Sequence, residues 1–240
     1  MIYNLQEEAT VDNLGKIFYI SAPFNQALDI LKKNRINHPI TARDLAYARI
    51  QEGKHSSLST NDSYVKEGSL FIPKSENKRY LVRDSFVLKD VDNATDHHAH
   101  NQEYFLEEKV VNDYLQKQSK SNDLFIVKDL SPIPTNRFDQ EAITNWLFQD
   151  QAKDYGLFLK DAKIKQLSFY LNSDDYIDKQ KAPFANQLWL GALDLDSVVD
   201  GDGGGLYCTY WVRGVLKESR EASTSKKTAY HNLRPPFIRV

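Results

Sequence analysis

A single cysteine stands in a chain of 240 residues. One thiol cannot close an intrachain disulfide or complete a multi-cysteine zinc site. An excess of charge of either sign is also lacking, since 31 Lys and Arg face 33 Asp and Glu for a formal net charge of −2. No global field therefore points to nucleic acid or to an anionic membrane surface. No apolar run approaches the ~18–20 residues that span a bilayer. The opening MIYNLQEEATVDNLG is acidic where a secretory leader starts basic, so neither leader nor compartment is marked. Assemblies for making bonds are missing too. There is no G-x-S-x-G and no phosphate-cradling glycine loop, and Cys208 has no positioned histidine beside it. A non-enzymatic protein without a cofactor is expected.

Hydrophobic residues at 41%, with 12% aromatics, are enough to fill a core. Residues 17–20 read as a short strand, and Pro23 opens a helix through Asn34. Phe24, Ala27, Leu28 and Leu31 recur there at i, i+3, i+4 and i+7. Thr41 is placed to N-cap a second helix through about Gln51, with Gly53 as its stop. Residues 68–74 and 79–88 read as a hairpin around SENK. A long helix is expected over Asn93–Gln118, a strand over 124–130, and a helix over about Asp139–Tyr155. Strands at 166–171 and 187–195 follow, then a polar loop after Val215 and a last strand at PPFIRV. This order suggests an α+β chain with segregated elements.

Glycine is scarce, at 10 residues, and six of them crowd into Leu188–Val215. That stretch, LWLGALDLDSVVDGDGGGLYCTYWVRGV, also holds Trp189, Trp211 and the only cysteine. Tyrosine and tryptophan offer large contact area at low entropy cost, and Ser, Gly and Asp adapt their hydrogen bonding, as in antibody paratopes. As a strand, LYCTYWVRGV would point Tyr207, Thr209 and Trp211 to one side and Leu206, Cys208, Tyr210 and Val212 to the other. Asp194, Asp196, Asp200 and Asp202 make the surface acidic and favour a basic or polyhydroxylated partner. Apolar flanks at Trp189, Leu190, Leu193, Val212 and Val215 would hold the geometry. An ordinary glycine-rich hairpin loop is the simpler alternative.

The same stretch, with the final PPFIRV, resembles the variable region of a diversity-generating retroelement target protein of archaeal or viral type. The resemblance covers roughly residues 183–240. It implies a C-type-lectin-like fold with two helices and a mainly antiparallel sheet over 63–240, preceded by a small N-terminal helical segment over 1–62. It also implies a hypervariable ligand-binding region at about 188–215, contacting an unknown protein or glycan. The face would comprise Asp194, Asp196, Val198, Asp200, Asp202, Gly203, Gly205, Tyr207, Thr209, Tyr210 and Trp211, with Trp189, Arg213 and Gly214 unchanging. In that family a reverse transcriptase substitutes adenines, largely in AAC or AAT codons. Such changes cannot produce Lys, Glu, Gln, Met or Trp. None of these five types occurs from Asp194 to Tyr210, although together they make up 48 of the 240 residues. An empty window of that length arises by chance at roughly 2%.

Three other constellations compete. Calcium would use Asp194-x-Asp196 and Asp200-x-Asp202, but neither register satisfies an EF-hand, which leaves only a lectin-like site built from separate loops. Asp96, His97 and His100 share a helical face that suits a transition metal, without a completed first shell. Residues 24–54 form a helix-turn-helix pattern with a local charge of +3, the basis for a DNA-binding regulator. The rest of the chain has no basic surface pattern, which argues against nucleic acid.

Overall fold

The structure, a computed structural model, describes residues 3–36, 38–118, 121–193, 197–203 and 205–217. The chain starts with a hairpin of β1 (Gln6–Val11) and β2 (Gly15–Ala22), followed by helices α1 (Phe24–Lys33) and α2 (Ala42–Glu52) and the single turn α3 (Ser57–Thr60). Strands β3 (Ser63–Phe71) and β4 (Arg79–Val82) lead to helices α4 (Val91–Ala99) and α5 (Glu108–Gln118). Short strands β5 (Leu124–Ile126) and β6 (Ile133–Pro134) precede α6 (Ala142–Phe148) and α7 (Ala152–Asp161). Then come β7 (Gln166–Tyr170), α8 (Asp174–Asp178), β8 (Phe184–Leu190), β9 (Ser197–Asp200) and β10 (Tyr210–Leu216).

The strands make one sheet in the order β1-β2-β10-β3-β8-β9-β7-β6, with β4 and β5 branching from β3. Among the described residues every pairing is antiparallel except β3 with β10 and β7 with β9. β3 is central and buried at every position but Lys66, the Glu67 carboxyl included. One apolar cluster packs α2, α6 and α7, through Leu45, Leu147, Phe148, Tyr155 and Leu159. A second packs α1 and α4 through Phe24, Ala27, Leu31 and Ala94.

Local signals explain the first helices. Phe24, Ala27 and Leu31 are buried, as the spacing of α1 requires. Thr41 accepts from the Asp44 N–H at 3.0 Å, and the buried Glu67 carboxylate accepts from the Ala42 N–H at 2.9 Å, so two donors of the first turn of α2 are satisfied. Burial pushes the Glu67 carboxyl up to about 7.

Elsewhere tertiary contacts override the sequence pattern. The expected helix over 93–118 is two helices, α4 and α5. Between them Asn101 adopts a positive φ of 55°, Phe105 forms a bridge with Phe184, and Leu106 and Tyr104 bond to the backbone at Pro183 and Ala185. The helix expected over 139–155 breaks at Gln149, where φ is 54°. The second hairpin strand stops at Val82, because 86–89 turns into a 3-10 segment started by the Ser85 hydroxyl. Residues 1–62 contribute β1 and β2 to the common sheet in addition to their helices. The PPFIRV strand lies outside the described residues.

Strand β10 is wedged between β2 and β3, and a buried ion pair locks it. Arg213 donates to both Glu8 oxygens, at 2.7 and 2.9 Å, with side-chain exposures of 0% and 4%. Its remaining donors reach the carbonyls of Asp62 and Ser57 at 2.8 and 3.3 Å. One position along, β10 passes Ile36 and Leu31 so closely that a side chain on Gly214 would collide with them. Arg213→Leu would strand the Glu8 carboxylate in the interior at a cost of ~3–5 kcal/mol, read as a lower urea midpoint. The double variant Glu8→Leu/Arg213→Leu should recover much of that loss. A loss below ~1 kcal/mol in the single variant would show that the pair is dispensable.

Candidate functional site

Four neighbouring strands converge on one cavity of about 200 Å³. Tyr64 of β3 lies opposite Trp189 of β8, and Trp189 lies opposite Asp200 of β9. Directly opposed residues project to the same face of a sheet, so these three side chains form a row. Tyr210 starts β10, two residues before Val212, the register partner of Tyr64, and so adds its ring to that face. The Tyr210 ring is edge-on to Tyr64 and tilted on Trp189, with 6.1 Å between centroids in each case. Asp62 enters from the turn before β3, and the 201–209 loop brings Asp202, Tyr207 and Cys208. Trp211 closes the rim, stacked on Tyr19 at 4.2 Å with the Arg213 guanidinium 5.0 Å from its ring centre.

The loop that covers the row is tied down through its backbone. The Gly201 N–H donates to the Tyr170 carbonyl at 2.9 Å. The Gly201 carbonyl accepts from Ser69 at 2.9 Å and from Asn186 at 3.3 Å. Asn172 donates to the Asp202 carbonyl at 3.2 Å, and the Phe24 N–H to the Leu206 carbonyl at 2.9 Å. Gly205 has a φ of +84° and the Tyr210 ring lies against it, so a methyl group there would come within 2.6 Å of that ring. The turn at 191–192 is fastened by Asp62, which accepts the Ala192 N–H at 2.6 Å, and by Arg49, which donates to the Gly191 carbonyl at 2.9 Å.

The electrostatics are one-sided. Asp62, Asp200 and Asp202 line the cavity, and among the described residues no lysine or arginine does. Burial pushes the Asp200 carboxyl up to about 6, the nearby Asp202 adding to the effect, while the Asp202 N–H, donating at 3.1 Å, opposes it. Burial likewise raises the Tyr64 phenol.

Of the residues singled out in the sequence, Asp200, Asp202, Gly205, Tyr207, Tyr210 and Trp211 meet at this cavity. Asp194 and Asp196 lie outside the described residues. Val198 packs its side chain over Gly191 and does not line the cavity. Thr209 is exposed beside it. Gly203 lies on the far side of the loop, near the buried His98 ring, whose pKa burial lowers. The expected strand alternation from Leu206 is overturned: 206–209 is a turn, closed by the Cys208 N–H on the Gly205 carbonyl at 2.8 Å. Tyr207, Cys208, Tyr210 and Trp211 consequently share one cavity despite their alternating positions. Trp189, expected as a buried flank, is half-buried and lines the site. Asp62 and Tyr64 carry no sequence signal, being more than 120 residues from the loop in a polar, turn-rich stretch.

The competing constellations are placed as well. Arg49 is buried, donating to the Leu58, Asn61 and Gly191 carbonyls and to the Tyr155 hydroxyl. Arg43 pairs with Asp150 and Asp44, so two of the charges behind the helix-turn-helix pattern are committed within the fold. His97 and His100 each turn a ring nitrogen to a carbonyl of their own helix. Among the described residues no group of three or more His, Cys, Asp or Glu is arranged to hold a metal ion, and no helix is long and apolar enough to cross a membrane.

No family model matches the chain, and no curated protein does. Among solved structures the chain is similar to one described as the accommodation of massive sequence variation in Nanoarchaeota by the C-type lectin fold. The TM-score is 0.63 at 18% identity, over 85% of this chain and 98% of that one. At that identity the likeness is one of fold: the chain is an α+β protein with a C-type lectin fold.

The raised Asp200 carboxyl has a consequence for stability. Unfolded, this group titrates near ~4, so between ~4 and ~6 the folded chain holds the extra proton and stability falls as pH rises. Asp200→Asn should therefore melt at a higher temperature than the parent at pH 7.5 and at nearly the same temperature at pH 4. Equal melting temperatures at both pH values would show that the cavity places no penalty on this carboxylate.

Proposed function

We propose that this chain is a non-enzymatic ligand-binding protein whose face around residues 200–211 is built to vary. The observation that carries the reading is the division of labour in the loop. Its ties to the scaffold run mainly through its own backbone atoms, to Tyr170, Ser69, Asn186, Asn172 and Phe24. Exchanging an exposed side chain therefore leaves most of those ties intact. Asp202, Tyr207, Thr209 and Tyr210 are exposed, while Leu206, Val212 and Arg213 are buried. Changes at exposed positions free of such ties usually cost under ~0.5 kcal/mol, whereas core changes cost several.

Two further facts support this reading. The similar nanoarchaeal structure is described as accommodating massive sequence variation on the same fold. The window 194–210 also lacks all five residue types that adenine substitution in AAC or AAT codons cannot make. The diversifying agent would be a retroelement reverse transcriptase, and the partner a protein or glycan.

A library randomised at Asp202, Tyr207, Thr209 and Tyr210 should remain largely folded and should yield variants selectable against unrelated proteins. Asn186→Ala, which removes a donor to the Gly201 carbonyl, should cost ~1–3 kcal/mol. General unfolding of the library would overturn the display reading. For the retroelement, sequencing the locus should reveal a neighbouring reverse transcriptase and a near-copy of the segment, and finding neither would remove that part.

A further inference from the structure

We propose that a second recess, on the far side of the 201–209 loop, is a subsite for a neutral hydroxyl-rich ring, the chemistry shared by a terminal sugar and a cyclic polyol. It extends the face read above as ligand-binding, rests on that reading, and adds a part whose residues stay constant.

The recess encloses about 370 Å³, within the ~300–1,000 Å³ of small-ligand sites. His98 comes from α4, Asn101, Gln102 and Glu103 from the link to α5, Asn172 from the turn after β7, and Tyr176 from α8. Asp202 and Tyr207 line both this recess and the first cavity. Among the described residues the lining contains no aliphatic side chain. An apolar guest would strip water from these polar groups without replacing its hydrogen bonds.

The buried histidine specifies the guest more closely. The His98 ring, 5% exposed, lies against the Gly203 backbone in a contact too poorly aligned to satisfy either nitrogen. Burial lowers its pKa, so at neutral pH one nitrogen donates and the other accepts. A hydroxyl does both and can serve either nitrogen, whichever tautomer is present. The surroundings share this double character. The amides of Asn101, Gln102 and Asn172 each donate and accept, and the Glu103 carboxyl, raised by burial, accepts from the Tyr176 hydroxyl at 2.5 Å. Tyr176 and Tyr207 are exposed, and their negative ring faces attract the polarised C–H groups of a hydroxylated ring.

Most of this lining is independent of the loop. Residues 98–103 and 172–176 lie outside the 194–210 window, and they include Gln102 and Glu103, types that the adenine changes cannot make. Within the loop, a methyl group on Gly203 would come within 2.8 Å of the buried Asn186 amide, so that wall of the recess is backbone. Variation at Asp202 and Tyr207 would then tune a site whose other groups are constant.

The test is NMR of the nitrogen-labelled full chain. The His98 imidazole and the side-chain amides of Asn101, Gln102 and Asn172 report this recess, and the indoles of Trp189 and Trp211 report the first cavity. The probes are methyl mannopyranoside, methyl galactopyranoside and myo-inositol, with cyclohexylmethanol as a ring without the vicinal hydroxyls and ethylammonium as a cation. At least one hydroxylated probe should shift the His98 and amide resonances saturably, in the millimolar range. Response to the glycosides without inositol, or the reverse, would support the subsite and identify its source. His98→Phe keeps the buried volume but removes both nitrogens, and Tyr176→Ala removes an exposed ring. Each should weaken binding about tenfold, the equivalent of one hydrogen bond or one ring contact. No saturable shift with any hydroxylated probe, equal shifts with cyclohexylmethanol or ethylammonium, shifts confined to the indoles, or binding that both variants leave intact would each overturn the assignment. The two readings fail separately. A tolerant, selectable library beside an unresponsive recess removes the subsite alone. A library that unfolds removes the display reading, and sugar or polyol binding by the parent chain would then mark a wholly fixed site.

Discussion

The buried bidentate pair between Arg213 and Glu8 is the interaction on which the site's geometry depends. It joins the first strand of the chain to the last described one, across about 200 residues of sequence. Its remaining donors fix the Asp62 and Ser57 carbonyls, so the turn that carries Asp62 and Tyr64 is positioned by the same guanidinium. Arg49 repeats the device on the other side of that turn, holding the Leu58, Asn61 and Gly191 carbonyls. Two buried cations thus satisfy backbone acceptors of a segment that has little regular structure of its own. Buried ion pairs add little net stability over apolar packing, but they penalise any other arrangement strongly. Their contribution here is to place β10, and with it Tyr210 and Trp211, against β3 and β8.

On that frame, constancy and variation separate physically. The row Tyr64, Trp189 and Asp200 belongs to paired strands, whose register is specified by the sheet. The loop from 201 to 209 is held through backbone atoms, which are the same for every residue type, so its exposed side chains have little structural duty. Under the proposed reading, the aromatic floor from Tyr64 and Trp189 would be the constant part and the rim the adjustable one. The charged helical pair near the N-terminus takes its meaning from the same frame. Arg43 and Arg49 look like a duplex-reading surface in the sequence, yet one pairs with Asp150 and the other is buried in the core.

Local elements were legible wherever short-range physics decides. The stripe of α1, the Thr41 cap and Gly53 stop of α2, and the β3–β4 hairpin follow from spacing and capping chemistry within a few residues. The helix expected across 93–118 was not readable as two, because its break is stabilised by strand-like bonds from Tyr104, Phe105 and Leu106 to residues near 184. Alternation from Leu206 misled for a related reason. A period of two assumes extended backbone, and the left-handed Gly205 starts a turn instead. Composition nevertheless located the loop half of the cavity, since glycines and exposed aromatics concentrate in one stretch.

By itself, then, the sequence determined where α1 and α2 start and stop, that a core exists, and which segment carries the unusual mixture of Gly, Asp and aromatic residues. Those are consequences of local propensity and composition. Only the tertiary structure decided that Asp62 and Tyr64 complete the site, that Trp189 lines it, and that the basic residues of α2 are engaged within the fold, Arg49 in the interior and Arg43 with Asp150. Each of these depends on register between strands distant in sequence or on the burial of a charge beside a partner from elsewhere in the chain, and neither is encoded within a window of neighbouring residues.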